Sequence, residues 1–279
     1  MPIHGHAAGL FTGLVDDAAV FPPGLAPLDR AVREHLDNRD GPYAACVGTL
    51  LVPHTAAAEL AGLAARDERT AGAPMRVAIV ARPGTPLEPV AAAFGALDGR
   101  PGVEVVSAEL GWHPGWRAAL DLGVPLVLEV GTGADQRRAL DDLAHAGPGR
   151  VRAKFRTGAT PTWPRPDEAT LAEFVVGAVR RGRPFKLTGG LHHATRDDDQ
   201  ATPQHGLLNV LLATHEAIEG AASREVAGVL RQTSAELLVD RVTGLAPEQA
   251  RRIRASFTAY GCCGVLDPLR ELAALGLLD

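Results

Sequence analysis

Short apolar runs recur along the chain, and longer stretches rich in Ala, Leu and Arg separate them. Residues that favour strands fill the runs, whereas the intervening stretches have the composition of helices. Successive runs start roughly 20–34 residues apart, which is the length of one strand followed by one helix. The pattern predicts strands at 45–52, 76–81, 103–110, 125–130, 152–158 and 184–190, with weaker ones at 14–21 and 256–263.

Eight nearly continuous apolar strands with helices between them predict a parallel sheet that is covered on both faces. We therefore expect an α/β fold, a (β/α)8 TIM-type barrel that forms a single domain over residues 1–279. The segment 206–255 has the pattern of two or three helices, so extra helices are inserted before the last strand. A doubly wound open sheet is the alternative, but no Gly-rich dinucleotide fingerprint follows the first strands. The segment 194–206 is predicted to be one exposed loop.

Composition and charge exclude some classes of partner. The chain has 46% hydrophobic residues and a net charge of -5, which argues against nucleic acid and anionic membrane as partners. It contains neither an apolar run of 18 residues nor a recognisable secretion signal. Three Cys residues are too few for a disulfide scaffold. We expect a cytoplasmic protein with a small-molecule substrate, and the sequence leaves a homo-oligomer open.

The distribution of basic residues singles out two positions. Of the 28 basic residues only Lys154 and Lys186 are lysines. Each lies late in a predicted strand, where chemistry is concentrated in a parallel barrel. Lysine differs from arginine in that its amine can lose a proton and act as a nucleophile. Arg156 should share a strand face with Lys154 and, together with Lys186, favour a neutral Lys154 amine.

The motifs around the two lysines, "KFRTGAT" and "KLTGGLH", resemble those of class I aldolases of the deoxyribose-phosphate aldolase type, over residues 103–196. That family carries Lys-x-Ser-Thr-Gly on its sixth strand and Lys-x-Ser-Gly-Gly-Ile on its seventh. The resemblance implies that Lys154 is the Schiff-base lysine and that Lys186 lowers its pKa. It also implies that Gly189 and Gly190 receive a substrate phosphate, and that Glu129 matches a glutamate late in the fifth strand.

Three features depart from that family. Its acidic proton-relay position on the fourth strand is occupied here by Val106, and Glu109 is the nearby substitute. Its hydroxyl-bearing phosphate motif near the last strand is replaced by "YGCCG", and the continuation "LHHATRDDD" is foreign to it. Over the whole length, "DDAAVFPPG", "KFRTGA", "PFKLTGGLHH" and "HGLLNVLLA" resemble a bacterial protein family of uncharacterised function, which implies no activity.

Histidines and carboxylates supply the remaining candidates. His192 and His193, joined by His205, follow the seventh predicted strand, and one of the adjacent pair can face the rim as an acid or base. A metal site formed by these residues or by the His-x-His at His4 and His6 is the alternative. Adjacent Cys262 and Cys263 are interpreted as a buried, inert pair.

These observations predict a Schiff-base-forming lyase that acts, without a metal or cofactor, on a small carbonyl compound with or without a phosphate group. The alternatives are a metal-dependent hydrolase that uses histidines with Asp17, and a non-catalytic barrel that binds an anionic metabolite. The predicted catalytic residues are Lys154, Lys186, Glu129, Glu109 and His192. The predicted substrate-binding residues are Arg156, Thr157, Thr188, Gly189, Gly190, His193 and Asp17.

Overall fold

Eight parallel strands close into a barrel in chain order, from β1 through β8 and back to β1. The structure, a computed structural model, describes residues 8–147, 149–198 and 203–278. The closed barrel confirms the predicted TIM-type architecture and excludes the open sheet. The strands are β1 (Val15–Asp17), β2 (Val47–Pro53), β3 (Met75–Val80), β4 (Val103–Gly111), β5 (Leu126–Glu129), β6 (Val151–Arg156), β7 (Phe185–Thr188) and β8 (Phe257–Cys262).

Helices surround the barrel, as the alternation of the sequence predicts. Those within the described residues are α1 (Ala8–Phe11), α2 (Leu28–Arg39), α3 (Ala57–Ala64), α4 (Arg69–Gly72), α5 (Leu87–Leu97), α6 (Gly133–Ala144), α7 (Glu168–Arg180), α8 (Leu207–Ile218), α9 (Ser223–Leu230), α10 (Ala235–Thr243), α11 (Pro247–Ser256) and α12 (Leu266–Ala274). Short 3-10 helices span Ala44–Cys46, His54–Ala56 and Trp116–Leu122. The last of these takes the place of the regular helix that the sequence predicts between β4 and β5.

The predicted insertion before the last strand is confirmed by α8 to α11, which lie between β7 and β8. Helix α8 is buried over nearly its whole length and packs against α7 and α9. Local signals explain where these helices begin. The Ser234 hydroxyl accepts a hydrogen bond from the Leu237 N–H at the start of α10, and Pro247 occupies the first turn of α11. The insertion thickens the helical layer outside β7 and β8.

Alternation of side chains along β6 and β7 separates an apolar layer from a charged one. Phe155 of β6 stacks on Phe174 of α7 with ring centroids 4.7 Å apart. Phe174 also meets Phe185 of β7 edge-to-face at 5.4 Å. Because successive strand residues point to opposite faces, the neighbours Lys154 and Lys186 point into the barrel. The aromatic layer between barrel and helices thus fixes the strands that carry both lysines.

Candidate functional site

The two lysines lie side by side at the carboxyl end of the barrel. Lys154 on β6 is in register with Lys186 on β7, as the sequence predicts for adjacent strands. Both are almost completely buried, with 4% of Lys154 and 2% of Lys186 exposed. Buried ammonium groups need anionic partners, since desolvation of an isolated charge is strongly unfavourable.

Glu109 of β4 supplies the shared partner. Its Oε2 lies 2.9 Å from Lys154 Nζ, and its Oε1 accepts a hydrogen bond from Lys186 Nζ. Glu109 is itself only 1% exposed. A bulge positions this carboxylate, because the pairing of β3 with β4 jumps from Val105 to Ser107 and passes over Val106. One carboxylate therefore bridges the two amines from across the barrel.

Two further carboxylates and one arginine complete the cluster. Asp16 of β1 accepts a hydrogen bond from Lys186 Nζ through Oδ2 and from the Thr49 N–H through Oδ1. Glu129 of β5 lies 3.1 Å from Lys154 Nζ through Oε2, and its Oε1 accepts a hydrogen bond from Arg156 Nε at 3.0 Å.

We call these six residues the barrel ion cluster: Asp16, Glu109, Glu129, Lys154, Arg156 and Lys186. Its formal charges are three negative and three positive, so they cancel.

The contacts within the cluster shift the pKa values of Glu109, Glu129 and Lys154. Burial raises the pKa of Glu109, but the charges of Lys154 and Lys186 outweigh burial and bring that pKa to about 2. The pKa of Glu129 is also lowered, because Lys154 and Arg156 oppose the effect of its burial. Burial lowers the pKa of Lys154, but Glu109 and Glu129 outweigh it and raise that pKa above its usual value.

This result corrects the expectation that Lys186 makes Lys154 neutral. The carboxylate of Glu109 lies between the two amines, so each amine interacts first with an anion rather than with the other cation. Arg156 does lower the pKa of Lys154, as expected, but its effect is smaller than those of the two glutamates. Lys154 is therefore an ammonium ion in the structure.

The carboxylate that reaches the lysines from β1 is Asp16, not the predicted Asp17. Asp17 is buried, with Oδ2 3.2 Å from Nδ1 of His35 on α2 and Oδ1 accepting a hydrogen bond from the Ala19 N–H at 3.0 Å. Adjacent strand residues point to opposite faces, so only one of the pair can face the interior. The sequence alone does not distinguish the two adjacent aspartates, because a strand of three residues gives too short an alternation.

The predicted substrate-binding glycines and threonines join the ends of β6 and β7. The Thr157 N–H donates to the Thr188 carbonyl oxygen at 2.9 Å, and the Thr157 hydroxyl donates to the carbonyl oxygen of Gly189. Gly158 packs on the backbone of Gly189, where a Cβ would lie 2.9 Å from the carbonyl carbon. Gly189 and Gly190 have φ values of 67° and 86°, which favour glycine. These residues hold the two lysine-bearing strands together at the rim.

His192 and His193 both turn away from the barrel ion cluster. Leu191 follows the two glycines with a φ of 59°, so three successive positive φ values redirect the chain. His192 then lies beside β8 and α12, where its Nδ1 is 3.2 Å from Asp267 Oδ2. His193 Nδ1 is 2.8 Å from Glu271 Oε1. The predicted proton-transfer role of His192 toward Lys154 has no contact to support it among the described residues.

His192 also contacts both cysteines at the end of β8. Its Nε2 lies 3.5 Å from Cys263 Sγ, and its Nδ1 lies 3.6 Å from Cys262 Sγ. Hydrogen bonds with Cys262 and Cys263 raise the pKa of His192 to about 11, although burial opposes them. Cys262 is buried as expected, but Cys263 is partly exposed. The interpretation of both cysteines as buried therefore fails for Cys263, because it lies at the mouth of the β8–α12 connection.

The histidines proposed as metal ligands are not gathered into a site by the described part of the chain. His205 is buried and its Nε2 lies 2.9 Å from the Pro166 carbonyl oxygen. His4 and His6 lie outside the described residues. Over residues 8–147, 149–198 and 203–278, no group of three or more His, Cys, Asp or Glu side chains has the arrangement of a metal site.

Two of the clefts formed by the described residues flank the barrel mouth. One of about 310 Å³ is lined by residues that follow β5 and β6, including Thr132 and Trp163, and Trp163 Nε1 donates to the Arg156 carbonyl oxygen. The other, of about 260 Å³, lies between the segment after β1 and the start of α12 and is lined by Asp17, Cys263 and Asp267 among others. We call the second the α12 cleft.

No helix in the part of the chain that the structure describes is long and apolar enough to cross a membrane. Comparisons of the chain with protein-family models, with curated proteins and with solved structures find no match.

Proposed function

We propose that the barrel ion cluster is the active site of a lyase that forms a Schiff base between Lys154 and a small carbonyl substrate. The observation that carries the proposal is the position of the Lys154 amine, 2.9 Å from Glu109 and 3.1 Å from Glu129 at the carboxyl end of a closed barrel. Barrel enzymes place their chemistry at this end. The Lys154 amine is a nucleophile once it is deprotonated, and the two carboxylates are proton acceptors within contact distance of it.

Energetics also favour a catalytic role over a purely structural one. Six ionisable side chains gather around the barrel axis, four of them less than 6% exposed: Asp16, Glu109, Lys154 and Lys186. Well-packed apolar residues in place of a buried ion pair are often as stabilising or more so. The interior of a barrel is normally filled by branched apolar side chains, so charge in this layer is better explained by chemistry than by stability.

The charge state of the cluster sets the first step. Lys154 is protonated at rest, so a proton must pass from its Nζ to a carboxylate, Glu109 or Glu129, as the carbonyl substrate reaches the amine. The neutral amine then attacks the carbonyl carbon, and the carbinolamine loses its oxygen as water when a carboxylic acid returns the proton. The resulting iminium accepts the electron pair of an adjacent C–C bond, which allows that bond to break or form.

Lys186 has a different role from the one that the family resemblance implies. It binds Glu109 and Asp16 rather than the Lys154 amine. By forming an ion pair with Glu109, Lys186 holds this carboxylate in contact with the Lys154 amine. The contribution of Lys186 is thus to position Glu109, whereas the protonation of the nucleophile is controlled by the two glutamates.

The resemblance to class I aldolases of the deoxyribose-phosphate aldolase type supports this assignment. That family has an acidic relay residue at the position of Val106, which here lies in the β4 bulge. Glu109 contacts both lysines from the same strand and takes over the relay. We further propose that the substrate approaches Lys154 from the side of Glu129 and Arg156, whose side chains are 13% and 28% exposed and form the most open edge of the cluster.

The alternative of an anionic-metabolite binder is less well supported. Its three proposed cations, Lys154, Arg156 and Lys186, are each paired with a carboxylate. A phosphate would therefore meet no surplus positive charge. A binder would also retain most of its affinity when Lys154→Arg preserves the charge, which separates it from a Schiff-base enzyme.

Borohydride trapping tests the proposal. The full chain is incubated with a panel of small aldehydes and ketones, reduced, digested and analysed by mass spectrometry. A substrate should add its own mass less one oxygen to Lys154, and Lys154→Arg should abolish the adduct. Lys186→Arg keeps a cation beside Glu109 and should retain trapping at a reduced rate. Adducts confined to the N-terminus, or the absence of any adduct at Lys154 across the panel, would refute the proposal.

A further inference from the structure

A second group of reactive side chains lies apart from the lysines, in the connection between β8 and α12. Cys263 Sγ is 3.5 Å from His192 Nε2, and His192 Nδ1 is 3.2 Å from Asp267 Oδ2. The imidazole thus has a thiol on one nitrogen and a carboxylate on the other. This is the order of nucleophile, base and orienting acid used in covalent acyl transfer.

The two neighbouring thiols differ in their surroundings. The Cys262 thiol donates a hydrogen bond to the Gly264 carbonyl oxygen at 3.3 Å, and burial raises the pKa of Cys262. Cys262 therefore keeps its proton. Cys263 is partly exposed and lines the α12 cleft. Only Cys263 combines contact with His192 Nε2 and access to a cleft.

Two glycines make room for the arrangement. A Cβ at Gly264 would collide with the Asp267 carboxylate, so glycine there lets Asp267 lie over the turn and reach His192. A Cβ at Gly24 would lie 3.0 Å from the Cys263 Cβ, so glycine lets the segment after β1 pack on the cysteine and form the opposite side of the cleft.

From this geometry we propose that Cys263 is a nucleophile that accepts small acyl groups from esters or thioesters bound in the α12 cleft, with His192 as its base. Asp267 is a positioning residue that orients the imidazole. The cleft volume of about 260 Å³ suits a short acyl chain. The site shares no residue with the barrel ion cluster, so the acyl-transfer proposal can be tested independently of the Schiff-base proposal.

Acyl transfer to Cys263 and hydrolysis of the resulting thioester require water as the only reactant besides the ester or thioester. His192 holds the proton of the Cys263 thiol, and the thiolate attacks the acyl carbon. The tetrahedral intermediate collapses, the acyl–thioester forms, and the leaving group takes the proton from Nε2. Water attacks the thioester while the neutral imidazole accepts its proton, and the carboxylic acid and the Cys263 thiol are released.

Limited alkylation of the full chain tests the nucleophile. At pH 7 a free cysteine is only a few per cent thiolate, so an activated Cys263 should react with iodoacetamide about tenfold faster than free cysteine. Peptide mapping should place the label on Cys263, while Cys262 and the buried Cys46 remain unlabelled. His192→Gln should return the rate to that of free cysteine, and Cys46→Ser should leave it unchanged.

Asp267 and the acyl step are tested separately. Asp267→Asn preserves shape but removes charge, and it should lower both the alkylation rate and the thiolate absorbance of the folded protein several-fold. With p-nitrophenyl acetate, a burst of one p-nitrophenolate per chain should accompany acetylation of Cys263 and vanish in Cys263→Ser. A burst that survives Cys263→Ser, or a Cys263 that reacts no faster than free cysteine in folded protein, overturns the proposal.

Discussion

Glu109 is the residue whose removal tests the electrostatic account of the barrel most directly. Glu109→Gln keeps the size of the side chain but removes the charge that Lys154 and Lys186 share. The pKa of Glu109 is about 2, against 4.5 for the unperturbed carboxyl. At about 1.4 kcal/mol for each tenfold change in affinity for the proton, this difference corresponds to stabilisation on the order of 3 kcal/mol. In other proteins, removal of one partner of a buried ion pair costs about 3–5 kcal/mol, which agrees with the value derived from the pKa.

The expected result is a free energy of unfolding lower by about 3–5 kcal/mol at pH 7, and a Tm lower by roughly 5–9 °C. Urea unfolding measured by circular dichroism provides the first quantity. Glu104→Gln is the matched control, since Glu104 lies on the same strand, is exposed, and is 3.9 Å from Arg76. An exposed pair of that kind contributes about 0–1 kcal/mol.

The dependence on pH has a definite sign. Because the folded-state pKa of Glu109 is depressed, its stabilisation is fully present above the unfolded pKa and is lost as the pH falls toward about 2. The difference between wild type and Glu109→Gln should therefore shrink to roughly half between pH 7 and pH 3. A cost no larger than that of Glu104→Gln, or a difference independent of pH, would show that the reasoning is wrong.

Two further predictions concern packing and hydrogen bonding around the site. Gly158→Ala should lower the free energy of unfolding by about 1–3 kcal/mol, because its Cβ would press on the Gly189 backbone, whereas Gly62→Ala, with open space in α3, should raise it by about 0.5–1 kcal/mol. Equal effects in urea unfolding would contradict the packing argument. Asp17→Asn should cost about 1.5–3 kcal/mol by weakening the buried contact with His35, without preventing trapping at Lys154. Loss of trapping in a folded Asp17→Asn protein would show that Asp17 contributes to the reaction at Lys154.

The barrel and the pairing of its lysines were predictable because both depend on local pattern. Apolar runs spaced by one βα unit specify the strands, and motifs late in adjacent strands must meet at one rim. The position of Lys154 and Lys186 on adjacent strands follows from this spacing, whereas their pairing in register is seen in the structure. The sequence also named Glu109 as a proton-transfer candidate, although its contact with both amines depends on a bulge at Val106 that no periodicity reveals.

Other features depend on contacts that local pattern does not encode. The raised pKa of Lys154 arises from carboxylates on two other strands, so the lysine motif alone suggested the opposite direction. The direction of His192 is set by the positive φ of Leu191, a backbone conformation that sequence predicts for glycine but not for leucine. The adjacent cysteines gave no signal for the role proposed for Cys263, because His192 comes from the segment after β7 and Asp267 comes from α12.

The hydrogen bonds that tie Lys186 to Asp16 and Glu109 span 170 and 77 positions of the chain. The first contact requires both β1 and β7, and the second requires both β4 and β7, so neither can form in an isolated half-barrel or before β7 is synthesised. They are expected to be absent from the folding transition state, which forms local contacts first. Their free energy then acts mainly on the unfolding rate, so the same charges that prepare the barrel for chemistry also lengthen the lifetime of the folded molecule.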